Sequence, residues 1–412
     1  MIINKETFFS KIYLMVIAFY LLLGNLGKIG ANINFIEIII LFLGCMGFFY
    51  TKHNKKKLIS LFLLIFIIIS SLLVGVLKSD VDYEAVTYNI RLIAQIITIF
   101  TISYQLFKLE KYSNFKFIIN AIVNLYFILC VISLTIFFIF PDSRDLWAFL
   151  SKFHIVIDGD PHQMRVVSTY FDPNFFGNIL LFPILLSFLL CIYYPSKKNT
   201  MKLIIMIIGL LLTFSRSSIV CFLFFIFIFY FYLLFYAFYF KKLSKSLALI
   251  VFIIPTLVIM VFFNTYVSER IISRFSSTSV NDGSTFARIE SFNIGNYLFW
   301  KEPILGYGYN FSISLQKQLR GGGIALDSSL QTILISFGFI GSIILSLLLL
   351  LFIYSLYQKY KLENSFLKVV CYCYILYTII SILFLSIFNQ LILYPFWLIP
   401  MLSFGIYLLA RK

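Results

Sequence analysis

The sequence predicts an all-α, polytopic membrane protein, and three observations lead to that prediction. The chain of 412 residues is 61% hydrophobic and only 12% charged, whereas soluble proteins carry about 25% charged residues. Its mean hydropathy is +0.98. Apolar stretches long enough to cross about 30 Å of hydrocarbon recur along the chain. Together these features predict a single integral membrane domain over residues 1–412.

About twelve apolar stretches have the composition of transmembrane helices. The first six are Phe8–Leu23, Phe35–Tyr50, Leu58–Leu77, Tyr88–Phe107, Phe117–Phe140 and Phe175–Tyr194. The others are Met201–Phe214, Ser217–Phe240, Leu247–Phe263, Ile333–Tyr357, Phe366–Phe388 and Leu391–Ala410. Of these, Met201–Phe214 is shorter than a usual span.

The loops between these stretches alternate in charge. One set is rich in lysine, at 52–57, 108–111, 197–202, 241–245 and 359–361, and the chain ends at Arg411 and Lys412. The other set is acidic or long and polar. Because basic loops stay in the cytoplasm, both termini are predicted to be cytoplasmic, with loops 141–174 and 264–327 on the opposite side. The same rule accounts for the net charge of +16, so no nucleic-acid partner is predicted.

Cysteines and histidines do not form a recognisable site. All six cysteines lie inside predicted spans, so no disulfide is expected in the outer loops. The histidines His53, His154 and His162 lie on loops without the spacing of metal ligands. A P-loop and a Gly-x-Ser-x-Gly turn are also absent from the sequence. We therefore predict neither a metal nor a cofactor.

A first polar cluster leads into the sixth predicted span. Asp172-Pro173-Asn174 is typical of a helix start, because Asp accepts bonds from free amides and Pro begins the first turn. Helix capping and substrate binding are therefore alternatives for Asp172. Capping does not account for Arg165, which begins the cluster, so Arg165 and Asn174 are also candidate substrate ligands.

A second cluster is the short hairpin Ser215-Arg216-Ser217. Arg216 is the only charge between two apolar runs, on the predicted outer side, where positive charge is disfavoured. An arginine in this position either extends to the membrane surface or binds an anion. Charge at membrane depth is by default a functional-site hypothesis.

The long polar segment 264–327 is the third cluster, and loops of this length are uncommon unless they bind or cover something. Residues Thr285–Trp300 are predicted to form a helix along the membrane surface, started by Ser284 and ended before Pro303. This helix carries Arg288, which is either a surface residue or a ligand.

Two further features end this segment. Gly306-Tyr307-Gly308 predicts a turn at which the backbone approaches a ligand closely. Asp327 begins the next apolar run, where it is either a helix N-cap or a catalytic base.

In this order, the motifs resemble those of the O-antigen polymerase and ligase family. The shared features are about twelve spans, Ser-Arg at a short outer hairpin, and a large outer loop with Arg288, Trp300 and Pro-Ile-Leu-Gly-Tyr-Gly. The resemblance implies a GT-C-like glycosyltransferase architecture with the large loop before the tenth helix. It also implies metal-independent glycan transfer from undecaprenyl pyrophosphate at the outer face of the bacterial inner membrane. The implied partners are lipid-linked oligosaccharides, the lipid bilayer and a chain-length-regulating membrane protein.

The resemblance also assigns roles to single residues. Arg216 and Arg288 match arginines that bind the pyrophosphate, and Asp327 stands where ligases have a catalytic histidine. This departure favours a polymerase, which moves a growing glycan onto a new lipid-linked repeat unit. Arg165 and Asp172-Pro173-Asn174 are similar to a polymerase pattern.

Glu290 and Tyr307 complete the set of expected substrate contacts. One alternative is a ligase that transfers finished glycan to lipid A core or protein. A second is a lipid-linked oligosaccharide flippase, which would need polar residues through the depth of the bundle.

Overall fold

The computed structural model describes residues 5–27, 34–49, 55–78, 83–153, 155, 162–240, 283–312, 326–363 and 366–411. Nearly all of these residues are helical, and no strand longer than an isolated bridge residue occurs among them. The predicted all-α, polytopic fold is confirmed.

The helices of the first part of the chain are α1 (Lys5–Leu23), α2 (Phe35–Phe49), α3 (Lys55–Lys78), α4 (Tyr83–Tyr112), α5 (Phe115–Ile139), α6 (Ser143–Ser151), α7 (Pro173–Tyr193), α8 (Lys197–Leu212) and α9 (Arg216–Phe240). They are followed by α10 (Gly283–Lys301), α11 (Ser329–Tyr360), α12 (Phe366–Ile380) and α13 (Pro395–Ala410). A short 3-10 turn, Gly24–Gly27, follows α1. Helix α12 continues through a π-helical segment, Ser381–Leu385, into a last turn, Ser386–Phe388.

Within the described ranges, 7 helices are long and apolar enough to cross a membrane, and α2, α9 and α13 supply shorter apolar segments. The chain is therefore a multi-pass membrane protein. The predicted span Met201–Phe214 corresponds to α8, a helix of 16 residues. The predicted span Leu247–Phe263 lies outside the described residues.

The chain divides into two compact units. The first contains Met1–Leu21, Asn34–Ser113 and Gly283–Lys412, and the second contains Leu22–Ile33 and Asn114–Asp282. Arg288 and Asp327 therefore belong to the first unit, and Arg165 and Arg216 to the second. The single membrane domain predicted from the sequence stays a prediction.

In the first unit, α2 and α4 run parallel in one constant register. The pairs Glu37 with Arg91, Gly44 with Thr98 and Gly47 with Thr101 are each separated by 54 positions (91−37, 98−44 and 101−47). A Cβ on Gly44 would lie 2.2 Å from Thr98 Oγ1, and one on Gly47 would lie 2.7 Å from Thr101 Cγ2. The two helices thus approach as closely as glycine allows, as is common between membrane helices.

An ion pair holds the same two helices together, between the first turn of α2 and the third turn of α4. Arg91 donates from Nε and Nη2 to the two carboxylate oxygens of Glu37 at 2.7 and 2.5 Å. Gln95 Nε2 adds a bond of 2.8 Å to Glu37 Oε1. Because Glu37 is only 3% exposed, its charge needs these partners to be tolerated in an apolar bundle.

In the second unit, α7 is the central helix. Every residue from Phe175 to Cys191 is buried, and the helix packs against α5, α8 and α9. A helix that is apolar on all sides is expected at such a position. Beside it, α6 packs Leu146 and Leu150 onto Val167 and Phe171. The segment that leads into α7 therefore packs against α6.

Candidate active site

In the second unit, Arg165 connects three segments of the chain. Its side chain is buried, with 7% of the residue exposed. Nε donates to the carbonyl oxygen of Thr213 at 2.8 Å, and Nη2 donates to Asn174 Oδ1 at 2.9 Å. The neighbouring Val166 N–H donates to Leu212 O at 3.0 Å. The segment around Arg165 is thereby fixed to the end of α8 and to the first turn of α7.

The hairpin that carries Arg216 packs on the same end of α7. Ser218 Oγ lies 2.7 Å from Asn178 Oδ1 and 2.8 Å from Ser215 Oγ. A Cβ on Gly177 would lie 2.6 Å from Ser218 Oγ, so the contact depends on glycine. Arg216 itself is the first residue of α9 and is half-buried. A helix N-terminus favours negative charge, and Arg216 adds a full positive charge at that point.

Four non-glycine residues of this region have left-handed backbone angles. They are Met164 (φ 52), Ser168 (φ 61), Phe171 (φ 60) and Phe214 (φ 49). In the rest of the described chain only Asn310 shares this conformation. Such angles cost about 1–3 kcal/mol each and cluster at functional sites. Tertiary packing therefore holds the Arg165 segment and the hairpin against their local preferences.

Asp172 forms the N-cap of α7. Its Oδ1 accepts bonds from Asn174 N at 2.7 Å and Phe175 N at 3.2 Å, and Pro173 occupies the first helical position. The predicted capping role of Asp172 is thus confirmed by the geometry. Its role in substrate binding stays a prediction.

In the first unit, the helix predicted over Thr285–Trp300 is present as α10, and it begins at Gly283. Its position along the membrane surface stays a prediction. The helix buries Ser291, Ile294 and Leu298, and it packs against α11. Ile289, Phe292 and Trp300 are exposed on other faces. Arg288 is half-buried and Glu290 is exposed.

Asp327 lies against this helix. Its backbone N–H donates to Ser291 Oγ at 3.1 Å. Ser291 lies three residues after Arg288 in α10, and residues three apart on a helix are neighbours on one face. The predicted capping role of Asp327 is wrong, because the N-cap of α11 is Ser328, whose side chain accepts from Gln331 N at 3.3 Å. Asp327 is exposed.

The predicted glycine turn is present, but it packs against this chain's own backbone. Gly306 and Gly308 have φ of +72° and +91°. A Cβ on Gly306 would lie 2.4 Å from Ile335 O, and one on Gly308 would lie 2.6 Å from Ser71 O. The close approach expected here between backbone and ligand is instead an approach to α3 and α11.

The backbone of this turn supplies hydrogen-bond partners at a break in α11. At Gly338 (φ 61, ψ −169) the helix is interrupted, which frees backbone groups that must find other partners. Tyr307 N and Gly308 N donate to the carbonyls of Ile335 and Ser336 at 2.8 and 3.0 Å, and Phe339 N and Ile340 N donate to those of Pro303 and Ile304 at 2.8 and 3.3 Å. We call this set of four bonds the splice.

Tyr307 is part of the splice through its backbone N–H. Its ring packs with Ile294, Leu298 and Ile335, and burial raises the pKa of its hydroxyl to about 12. The residue is 7% exposed. The structure therefore gives Tyr307 a packing role, while its predicted contact with substrate stays a prediction.

Several site-forming residues were missed by sequence reasoning. Gln331 Nε2 donates to Phe292 O at 3.0 Å, and a Cβ on the facing Gly295 would lie 2.8 Å from this side chain. Lys78 pairs with Glu302 and donates to Gly306 O at 3.2 Å. Gly295, a glycine within a predicted helix, was the available signal for the contact with Gln331. Nothing in the local sequence indicates the contacts of Lys78.

Within the part of the chain that the structure describes, no cluster of three or more His, Cys, Asp or Glu residues could hold a metal ion. All six cysteines are free thiols.

Residues 201–346 match the family model of the O-antigen ligase. A search of curated proteins found no match to the chain. The matched residues extend from α8 into α11 and include Arg216, Arg288 and Asp327. The resemblance to the O-antigen polymerase and ligase family, predicted from the motifs, is therefore confirmed.

Proposed function

We propose that this protein is a glycosyltransferase of bacterial polysaccharide assembly. It would act as a polymerase that moves a growing glycan from undecaprenyl pyrophosphate onto a new lipid-linked repeat unit. The observation that carries the proposal is the match over residues 201–346, because that segment holds both candidate arginines and the candidate base. We place the reaction at the outer face of the inner membrane, with both termini in the cytoplasm and a chain-length regulator as partner.

Arg216 and Arg288 are proposed to bind the pyrophosphate of the donor. When the bond from the anomeric carbon to the phosphate oxygen breaks, negative charge develops on the departing lipid pyrophosphate. Arginine stays charged and offers a planar fork that binds phosphate in a bidentate manner. Fixed positive groups at a site of developing charge are often the largest contribution to catalysis.

Asp327 is proposed to accept the proton of the attacking sugar hydroxyl as that oxygen bonds to the anomeric carbon. Three observations support this assignment: Asp327 is exposed, it is not the cap of α11, and its backbone N–H bonds to Ser291, three residues after Arg288 in α10. A positioned base contributes typically about 10²–10⁴-fold to rate. Glu290, which is exposed on α10, is the next candidate for the catalytic base.

A ligase is the second candidate, since the matched model is described as an O-antigen ligase. Asp327 occupies the position at which the resemblance predicts a histidine for that activity, and this is why we prefer a polymerase. The flippase alternative gains no support from the family match.

Analysis of lipid-linked products after removal of the gene tests the proposal. Loss of a polymerase leaves single repeat units, which are still transferred to the final acceptor. Loss of a ligase leaves full-length polymer on the carrier lipid. Unpolymerised units that face the cytoplasm would instead indicate a flippase and would contradict the proposal.

A further inference from the structure

We propose that Arg165 is a positioning residue for Arg216, which it orients through the hairpin without binding the donor itself. The inference rests on the proposed function, in which Arg216 binds the pyrophosphate. It concerns the second unit alone, where Arg165 donates hydrogen bonds to Thr213 and Asn174.

One of the two guanidinium edges that can bind a phosphate in a bidentate manner, the edge formed by Nε and Nη2, is already in use. An arginine binds an oxyanion in a bidentate manner through two parallel N–H groups. In Arg165, Nε donates to Thr213 O and Nη2 to Asn174 Oδ1, at 2.8 and 2.9 Å. Arg165 is only 7% exposed, whereas Arg216 is half-buried. A donor would thus meet Arg216 more readily than Arg165.

The bond to Thr213 is also favourable for helix α8. Thr213 is the C-cap of that helix, where backbone carbonyls lack helical partners and carry partial negative charge. A buried guanidinium bonded to such a carbonyl satisfies both groups. Arg165 therefore fixes the point at which α8 ends and the hairpin begins.

The hairpin is rigid enough to transmit this position to Arg216. Only Phe214 and Ser215 separate Thr213 from Arg216. Thr213 and Ser215 are 0% exposed, Phe214 is 5% exposed, and Phe214 has left-handed backbone angles. A buried, conformationally restricted link of this length cannot absorb a shift of Thr213. Movement of the Thr213 carbonyl therefore displaces Arg216.

A double-mutant cycle tests the inference in purified protein reconstituted with a polyprenyl-pyrophosphate-linked repeat unit. We expect Arg165→Gln to lower kcat/KM by about 10²-fold when Arg216 is present, and by less than about threefold in an Arg216→Gln background, because residues that act through one another are not additive. Equal losses in both backgrounds would show that Arg165 acts independently. Arg144→Gln is the matched control, since Arg144 lies in the same predicted loop and is exposed. If Arg165→Gln fails to reach the membrane, Arg165→Lys, which keeps the charge, replaces it in the cycle with the same two expected outcomes.

A second measurement does not depend on activity. A nitroxide attached at Ser217→Cys reports the mobility of the hairpin. We expect Arg165→Gln to increase that mobility and Arg144→Gln to leave it unchanged. Unchanged mobility in Arg165→Gln would overturn the inference. If Arg216→Gln proved fully active, the proposed function would fail at Arg216, while the nitroxide would still show whether Arg165 holds the hairpin.

Discussion

The two units stabilise their candidate site segments by different kinds of hydrogen bond. In the second unit, side chains hold the hairpin of Arg216: Arg165 bonds to Thr213, and Ser218 lies against Asn178. In the first unit, the splice between residues 303–308 and α11 consists of backbone bonds at glycines. The difference predicts that the hairpin is sensitive to side-chain chemistry. The splice should be sensitive mainly to an added Cβ.

The largest effect should come from the arginines themselves. Arg216→Lys and Arg288→Lys keep the charge but lose the planar fork. We expect each to reduce polymer formation by about 10²-fold or more, since removal of one preorganised donor to a developing oxyanion typically costs that much. Polymer length on a gel, with the membrane level of each variant, gives the measurement. Full-length polymer from either variant would remove that arginine from the mechanism.

Asp327→Asn and Ser328→Ala together separate catalysis from helix capping, because Ser328 is the observed cap of α11. If Asp327 is the base, turnover should fall by about two orders of magnitude while the donor still binds. Ser328→Ala is the matched control, because it removes the observed cap. The free energy of unfolding should fall by about 1 kcal/mol, and turnover should be largely retained. Normal turnover of Asp327→Asn would show that Asp327 is not the catalytic base.

Glycine substitutions test the splice. Gly338→Ala places a Cβ 2.3 Å from Ile304 O, at a backbone angle that disfavours side chains. We expect a loss of stability above about 1–3 kcal/mol, the range for such strain alone. Thermal unfolding in detergent measures it, and Ile343→Ala, at an exposed position of the same helix, is the control. Equal unfolding temperatures for Gly338→Ala and Ile343→Ala would mean that the splice contributes little.

The smallest effect should come from the ion pair beside the splice. Lys78 and Glu302 are 28% and 40% exposed, and exposed pairs contribute about 0–1 kcal/mol. Lys78→Glu and Glu302→Lys should each lower the unfolding temperature slightly, and the double exchange should restore the part of the loss that comes from the ion pair, but not the bond of Lys78 to Gly306 O. A large, unrestored loss would show that these residues do more than pair with each other.

The spans were predictable because hydropathy and length decide them. Phe366–Phe388 was predicted with the ends that the structure shows, although its π-helical segment carries no hydropathy signal. Helix α10 was placed within about two residues of its observed start, because polar N-terminal residues precede its apolar positions. Asp172 was correctly identified as a helix cap because capping is local chemistry.

The contacts between distant segments were not predictable in the same way. Glu37 lies in a run of isoleucines, so the mean hydropathy of this stretch does not reveal a buried charge. Its partner Arg91 lies 54 positions away. Phe214 and Ser168 have left-handed angles that nothing in their side chains favours. The glycine turn was recognised, but its neighbours in α3 and α11 were not. A single sequence therefore indicates where the chain turns, and tertiary packing decides what the turn contacts.

The most direct test of the central claim is turnover by the purified protein in lipid bilayers. The donor and acceptor should be one defined repeat unit on polyprenyl pyrophosphate, assayed with and without a metal chelator. We expect a ladder of lipid-linked products that is unaffected by chelation and reduced by about 10²-fold or more in Arg216→Lys. Glycan transfer only to a lipid A core acceptor, or no transfer by the native protein, would contradict the assignment as a polymerase.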